Sequence, residues 1–391
     1  MRLRSWLAWL FLAIVGGAPG RADAYVWMIR HGQTGCASCH FDPSGGGILT
    51  TYGRAQSLLL LPPSAGELSE GEIDQKKGFF FGLVKLADWV NLGFSARIGG
   101  LLNKAGSGDV AIRPVQMVTD LRMAFEKGPF QASASVGYAI RGALPAALSG
   151  GETNNIVSRE HWVGLASEDE SFRVRVGRMT LPFGLRVAEH TLWVRRATRT
   201  DLNEQQQHGV AVNYTGEVLR GEVMAILGNY QLRPDTFRER GVSGFVEWAP
   251  LPTLAIGAST LLTHAFYDID TRRASTLRQA HGVFGRWAPI EPLAVLVEAD
   301  LLVSSALVSG VQWGGTGVGQ VDWEIIQGVH AIGTLEFLHQ SGRFQAGGWA
   351  SVAYFCLPQL EFRLDAILRN VETSGERLNV FTLVGQVHLS L

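Results

Sequence analysis

Three residues near the start of the chain have the types and the spacing to act together chemically. They are Cys36, Cys39 and His40, in the stretch Gly35-Cys36-Ala37-Ser38-Cys39-His40. Two thiols three apart, followed at once by an imidazole, form the C-x-x-C-H pattern of covalent haem attachment. In that chemistry both sulfurs bond to the porphyrin edge, and the adjacent histidine lies under the iron as an axial ligand. The same residues fit two other chemistries. Cys36 and Cys39 could close as a redox disulfide in an oxidising compartment. With His31 as a fourth donor, Cys36, Cys39 and His40 could instead hold zinc. If iron is bound, His31 and Met28 are the local candidates for its sixth ligand. His190, His208, His330 and His388 are further candidates, placed near the ends of predicted inward-facing segments. Cys356 stands alone on a short turn and reads as a small buried residue.

These chemistries need an exported chain, and the N-terminus supplies the signal. Arg2 and Arg4 precede an apolar run from Trp6 to Val15, and Ala22-Asp23-Ala24 is a small-x-small cleavage pattern. Residues 1–24 therefore read as a secretory signal peptide, too short in its apolar run to be a spanning helix. A net charge of −1 excludes a nucleic-acid binder, which would be basic. Three cysteines are too few for a disulfide framework. Gly is abundant at 47 residues and Trp at 11, with no long apolar run after residue 24, which points to β structure.

The elements that must position the C-x-x-C-H stretch divide into two regions. Residues 25–78 hold the motif, the Gly45-Gly46-Gly47 run, Tyr52-Gly53-Arg54, Pro62-Pro63 and an acidic stretch at Ser69–Glu72 that reads as a linker. This region is too small for a core of its own. Residues 79–391 alternate with period two in about 16 segments, the signature of strands. The connections alternate too. Leu181–Gln207, Gly228–Arg240, Tyr267–Leu277, Ser304–Thr316 and Asn370–Leu378 are long and polar; Glu168–Glu170, Thr215-Gly216, Ala249–Pro252, Ala288–Pro292 and Leu357–Gln359 are short. Short turns alternating with long loops mark an outer-membrane barrel. Charged residues fall at every second position, as in Glu298 and Asp300, Asp322 and Glu324, Arg173 and Arg175, and Glu361, Arg363 and Asp365. A lipid-facing Arg or Lys near the midplane would cost about 2–4 kcal/mol, so these charges are assigned to a wet lumen. An acidic wall there would attract cations such as ferrous iron, while the simpler reading of the same residues, which is preferred, is general lumen solvation with cross-strand charge pairs. The predicted fold is all-β: a transmembrane antiparallel barrel with a small N-terminal haem c region, the region possible as a plug in the lumen. The 181–207 loop is expected to fold inward as a constriction.

On Gly35–His40, Tyr52–Arg54 and this layout, the chain resembles the fused outer-membrane cytochrome–porin proteins, of which the monohaem iron oxidases are the best known. The resemblance covers the whole mature chain in layout, and outside the motif it is architectural. It implies one haem c held by Cys36 and Cys39 with His40 on the iron. It also implies electron transfer across the outer membrane, a periplasmic cytochrome or other redox carrier as partner, and an extracellular donor or acceptor, with iron oxidation as one form of the activity. The Gly45–Gly47 run and the compact barrel depart from the iron oxidases. The alternative is a passive porin-like channel whose cysteine pair is a disulfide or a metal clip.

Overall fold

The computed structural model describes residues 25–63, 68–141, 144–149, 153–187, 189, 191–231, 239–267, 275–306, 310–373 and 376–391. Residues 1–24, the expected signal sequence, and His190 lie outside them. Seventeen strand segments follow one another: β1 (Val90–Ala105), β2 (Ala111–Lys127), β3 (Phe130–Ala139), β4 (Asn155–Val157), β5 (His161–Ala166), β6 (Phe172–Met179), β7 (Gln207–Thr215), β8 (Leu219–Gly228), β9 (Arg240–Leu251), β10 (Leu254–Ala265), β11 (Thr276–Ile290), β12 (Leu293–Ala306), β13 (Gly310–Ile326), β14 (Val329–Gln340), β15 (Arg343–Leu357), β16 (Leu360–Thr373) and β17 (Glu376–Ser390). Each pairs antiparallel with its neighbours, and β4 and β5 both pair with β3. They are two parts of one wall strand, interrupted where the Ser135 hydroxyl accepts from the Arg159 and Glu160 amides. The wall thus has sixteen strands. β1 pairs with β17 from Ser95↔Ser390 to Ala105↔Val380 and closes the barrel. Closure leaves no free sheet edge. The end of the last strand lies against the start of the first, with Phe94 and Leu391 exchanging backbone hydrogen bonds at 3.1 and 2.8 Å.

Among the described residues no helix is long and apolar enough to cross a membrane; the crossing elements are strands. Period-two alternation sends one set of side chains outward. Val283, Val297, Val321, Leu335, Val352 and Leu364 lie on consecutive strands, all 44% exposed or more. Trp248, Trp287, Trp323 and Tyr354 are exposed near the short-turn ends of β9, β11, β13 and β15. An apolar band bordered by aromatics is what a lipid-facing wall requires.

Two expected loops are mostly strand. β12 reaches Ala306 and β13 begins at Gly310, and β16 and β17 extend to Thr373 and Glu376. There the hydrogen-bond ladder continues while polar residues take both faces, so the hydrophobic period fades before the strand does. The Ser69 stretch is also not a bare linker. It caps a helix, α2 (Glu70–Lys76), by a capping box between Ser69 and Glu72.

The lumen differs most from expectation. Its charges point inward, as the alternation requires, but they are buried, and many meet an ion-pair partner within the protein. Arg175, Arg178 and Arg195 are fully buried, as are Glu222, Glu247 and Asp322. Two segments fill the space. Residues 25–63 enter near the short turns: Gln327 donates to the carbonyls of Leu59 and Pro62 at 2.9 and 3.0 Å. The segment between β6 and β7 folds inward and carries a short helix, α3 (Trp193–Thr198). The Trp193 amide donates to Glu336 at 2.8 Å, Leu185 donates to Glu298 at 2.9 Å, and Arg195 pairs with Glu298. Phe41 and Ile48 of the N-terminal segment share a core cluster with Leu181 and Phe183 of the loop and Trp162, Met224 and Leu261 of the wall.

Candidate functional site

The C-x-x-C-H stretch forms one helical turn. The amides of Cys39 and His40 both donate to the Cys36 carbonyl, at 3.2 and 2.9 Å. Cys36 is a free thiol, so no disulfide joins it to Cys39. The chain then doubles back: Phe41 donates to Ile48 at 3.0 Å, and His40 bridges Leu49. The reversal runs through Gly45, Gly46 and Gly47 at φ of 96°, 88° and 73°. Three successive residues in this region demand glycine. Nothing lies within 4 Å of where a Gly46 Cβ would stand.

A helix, α1 (Thr51–Leu60), is clamped onto this turn by its own N-cap. Thr50 Oγ1 accepts from the Gly53 amide at 3.1 Å and donates to the Ser38 carbonyl at 2.7 Å. The Thr50 amide donates to the Cys39 carbonyl at 2.8 Å. Gly53 lies directly on the turn: a Cβ there would stand 2.5 Å from Cys39 O and 3.0 Å from its Cα. Arg54 donates to the Leu92 carbonyl of the wall. Burial without a carboxylate partner lowers its pKa to about 10.

The turn is fastened to the wall by polar contacts. Arg175 of β6 lies 3.2 Å from Asp42 and 2.5 Å from Glu222 of β8. Ser44 Oγ is 3.0 Å from Asp42 Oδ1 and 3.1 Å from Glu222 Oε2, and it accepts from Arg186 at 3.0 Å. Burial opposes the charge on Asp42. The guanidinium groups of Arg175 and Arg186, with hydrogen bonds from Ser44, outweigh it and hold the carboxyl below its usual range. Arg173 donates to Phe41 O at 3.1 Å, and Arg286 donates to Thr34 O at 2.7 Å. The sequence signal for these contacts was the inward Arg173/Arg175 pair; nothing in it named Asp42 as their partner.

A cavity of about 240 Å³ opens beside the turn. Cys36, His40 and the three glycines line it, as do Tyr25, Trp27 and Phe355, and so do Arg97, Arg122, Arg286 and Arg363. His330 and His388 line it as well, whereas His31 and Met28 do not. Met28 is buried among Trp27, Ile29 and Leu61. His31 Nε2 lies 3.9 Å from Glu324. Its pKa is lowered by burial, with Glu324 acting in the opposite sense. His208 is paired with His161 at 3.1 Å and does not line the cavity. Cys356 Sγ donates to Leu360 O at 3.6 Å within the β15–β16 hairpin.

The acidic wall is neutralised from within. Arg195 of the inward loop pairs with Glu298, Arg369 with Glu336 at 2.7 Å, and Arg363 with Asp365 at 2.8 Å and Glu189 at 2.6 Å. An open acidic path for cations is therefore not what these residues form. Among the described residues no group of three or more His, Cys, Asp and Glu has the geometry to hold a metal ion, which leaves the zinc alternative without a set of ligands.

Cys36 and His40 fit the attachment of a haem: they come to one cavity from one helical turn, and its glycine wall carries no side chains. Cys39 is fully buried and does not line the cavity. Of the cavity arginines, Arg286 already meets Glu247, and Arg363 meets Glu189 and Asp365.

The fold defines the class: a closed sixteen-strand antiparallel barrel of the outer-membrane porin type. It is similar to a loop-deletion form of OmpT, an outer membrane protein of Vibrio cholerae, at TM-score 0.59 and 12% identity, covering 78% of this chain and 100% of that one. It is similar to the outer membrane channel DcaP of Acinetobacter baumannii at TM-score 0.57 and 10% identity, covering 79% and 99%. The anion-selective porin from Comamonas acidovorans gives TM-score 0.59 and 10% identity, covering 77% and 99%. At these identities the likeness is one of fold. No family model matches the sequence, and no curated protein matches it.

Proposed function

We propose that this chain is a c-type cytochrome housed in an outer-membrane barrel, carrying electrons between the periplasm and the outside of the cell. The observation that carries the reading is the C-x-x-C-H turn clasped inside the lumen, with Cys36 and His40 on one cavity. The apolar outer band and the barrel fold support the outer membrane as its location, with the short turns and the N-terminal segment on the periplasmic side. Cys36 and Cys39 would hold the porphyrin through thioether bonds, and His40 would ligate the iron. A bound haem c supplies a one-electron iron couple.

The chain's own residues do the rest. The wall displaces a lipid band about 25 Å tall that would otherwise insulate the two sides. The N-terminal segment and the inward loop exclude bulk water around the cavity. Arg97, Arg122, Arg286 and Arg363 border the cavity, and positive charge left unbalanced by their carboxylate partners would favour the reduced iron. A periplasmic cytochrome or other redox carrier is the inner partner, and a metal ion such as iron is the outer donor or acceptor.

The second reading is a passive channel. Its support is the likeness to proteins named as a channel and a porin. The filled lumen argues against it. A haem stain of the outer-membrane fraction, run heated and unheated beside Cys36→Ala, separates the two. The expected result is a stained band that shifts on heating and loses its stain in the variant. An unstained band that still shifts, with ion conductance in planar bilayers, would replace the cytochrome by a channel.

A further inference from the structure

We propose that His330 is the second axial ligand of the iron, completing the pair begun by His40; this rests on the haem reading above. His330 opens β14 and is fully buried. Its Nδ1 lies 3.0 Å from Asp322 Oδ1, and that carboxylate is also held by Arg30. A carboxylate acceptor keeps the proton on Nδ1 and leaves the lone pair on Nε2. A carboxylate on the far ring nitrogen is what orients metal-binding histidines toward the metal. His330 Nε2 is buried with no hydrogen-bond partner, and the nearest carboxylate oxygen, Glu324 Oε1, is 3.9 Å away. The residue lines the cavity that Cys36 and His40 line. Its ring is fixed by Trp27 at 4.5 Å and Phe355 at 5.6 Å between centroids. Trp27 and Arg30 belong to the same N-terminal segment as the C-x-x-C-H turn. Docking that segment therefore brings in the haem site and orients its distal ligand in one step.

The other histidine on the cavity is engaged at both nitrogens. His388 Nε2 is 3.1 Å from Ser95 Oγ, and its Nδ1 is 3.2 Å from Arg97 and 3.4 Å from Glu361. An imidazole with a partner on each nitrogen has no lone pair to give. A buried Nε2 with no hydrogen-bond partner, on a ring oriented by a carboxylate, does.

The test uses the purified full chain in detergent, read by haem stain, absorption and electron paramagnetic resonance. The wild type is expected to give low-spin, bis-imidazole iron. His330→Ala is expected to keep its covalent haem, turn high-spin, and return to low spin with added imidazole. His330→Met is expected to stay low-spin with a higher midpoint potential, and His388→Gln to keep the wild-type signature. A stained His330→Ala protein with unchanged low-spin spectra overturns the assignment and leaves the cytochrome reading standing. A wild type without stain overturns both. If His330→Ala does not assemble, the wild-type spectrum decides. A bis-imidazole signature supports the proposal; a methionine-type or five-coordinate signature overturns it.

Discussion

Gly53→Ala sets two physical effects of opposite sign against each other. Gly53 sits in the first turn of α1, and its replacement by alanine in an ordinary helix would gain about 0.8–1 kcal/mol from propensity. Here the new Cβ would stand 2.5 Å from Cys39 O, 3.0 Å from its Cα and 3.1 Å from its carbonyl carbon. A carbon–oxygen contact is comfortable at about 3.3–3.6 Å, so α1 must retreat by roughly 1 Å. What it meets is backbone, which cannot swing aside as a flexible side chain would. Overpacking of this kind costs about 1–3 kcal/mol. The retreat also stretches the Thr50 bonds to Ser38 O and Cys39 O, now 2.7 and 2.8 Å, at about 0.5–1.5 kcal/mol each. The clash and the stretched bonds win, and the N-terminal segment is held less firmly by about 1–5 kcal/mol after the propensity gain is subtracted.

The assay is limited proteolysis of the intact barrel in detergent, reading cleavage within residues 25–63, with the heat shift on a gel as a separate measure of the wall. Gly53→Ala is expected to cleave roughly ten-fold faster or more, the equivalent of about 1.4 kcal/mol, while the heat shift is unchanged. Gly71→Ala is the control. It lies in the exposed Glu70–Lys76 helix with open space around it, so propensity alone acts and cleavage within residues 25–63 is not accelerated. A Gly53→Ala protein as resistant as the wild type, or more so, would mean that α1 is not seated on the Cys39 backbone.

Arg175→Met should release the N-terminal segment while the barrel still closes. It strands Asp42 and Glu222, both buried, at a cost of about 3–5 kcal/mol; proteolysis with a retained heat shift checks it, and an unchanged cleavage rate would contradict it. The inward loop should loosen as pH rises. Burial, then the nearby Glu204, raises the pKa of Asp201 to about 7. Between about pH 4 and 7 the folded loop keeps a proton that the unfolded loop has released, so stability is greatest below pH 4 and falls through that window, by about 4 kcal/mol in full. Hydrogen exchange across residues 199–206, corrected for intrinsic rates, should show more opening at pH 7.5 than at 4.5. Asp201→Asn should flatten the dependence, and the opposite trend would refute it.

The sequence carried the wall well and the contents poorly. Strands such as β16 were legible because Phe362, Leu364 and Leu368 face lipid while Glu361, Arg363 and Asp365 alternate with them. Lipid and lumen differ so sharply in polarity that period two survives in the residue types. Strand ends beyond the lipid band lost that contrast, which is why Ser304–Thr316 and Asn370–Leu378 read as loops. The turn at Cys36–His40 stood out because two thiols and an imidazole at this spacing form a recognisable motif. Its surroundings were not. Gly53, Thr50 and Asp42 matter through contacts with residues near in space, and a single sequence records no such pairing. The reading of inward charge as wet failed for the same reason. Alternation says which way Arg175 and Glu298 point, but not that Asp42 and Arg195 arrive to meet them.

That burial bears on how the site is held. Apolar packing is indifferent to sliding, and a segment attached to a barrel wall by grease alone could settle at several depths. The N-terminal segment instead meets the wall through directional contacts at separate strands: Arg30 with Asp322 on β13, Asp42 with Arg175 on β6, Ser44 with Glu222 on β8, and Thr34 with Arg286 on β11. Buried ion pairs add little net stability over apolar substitutes, because desolvation offsets their attraction, but removing one partner is costly. A shift of the segment by one residue would break all four sets at once. Spread over the strands from β6 to β13, they fix depth and rotation together. A cavity shared by residues as far apart in sequence as Cys36 and His330 requires that kind of fixing.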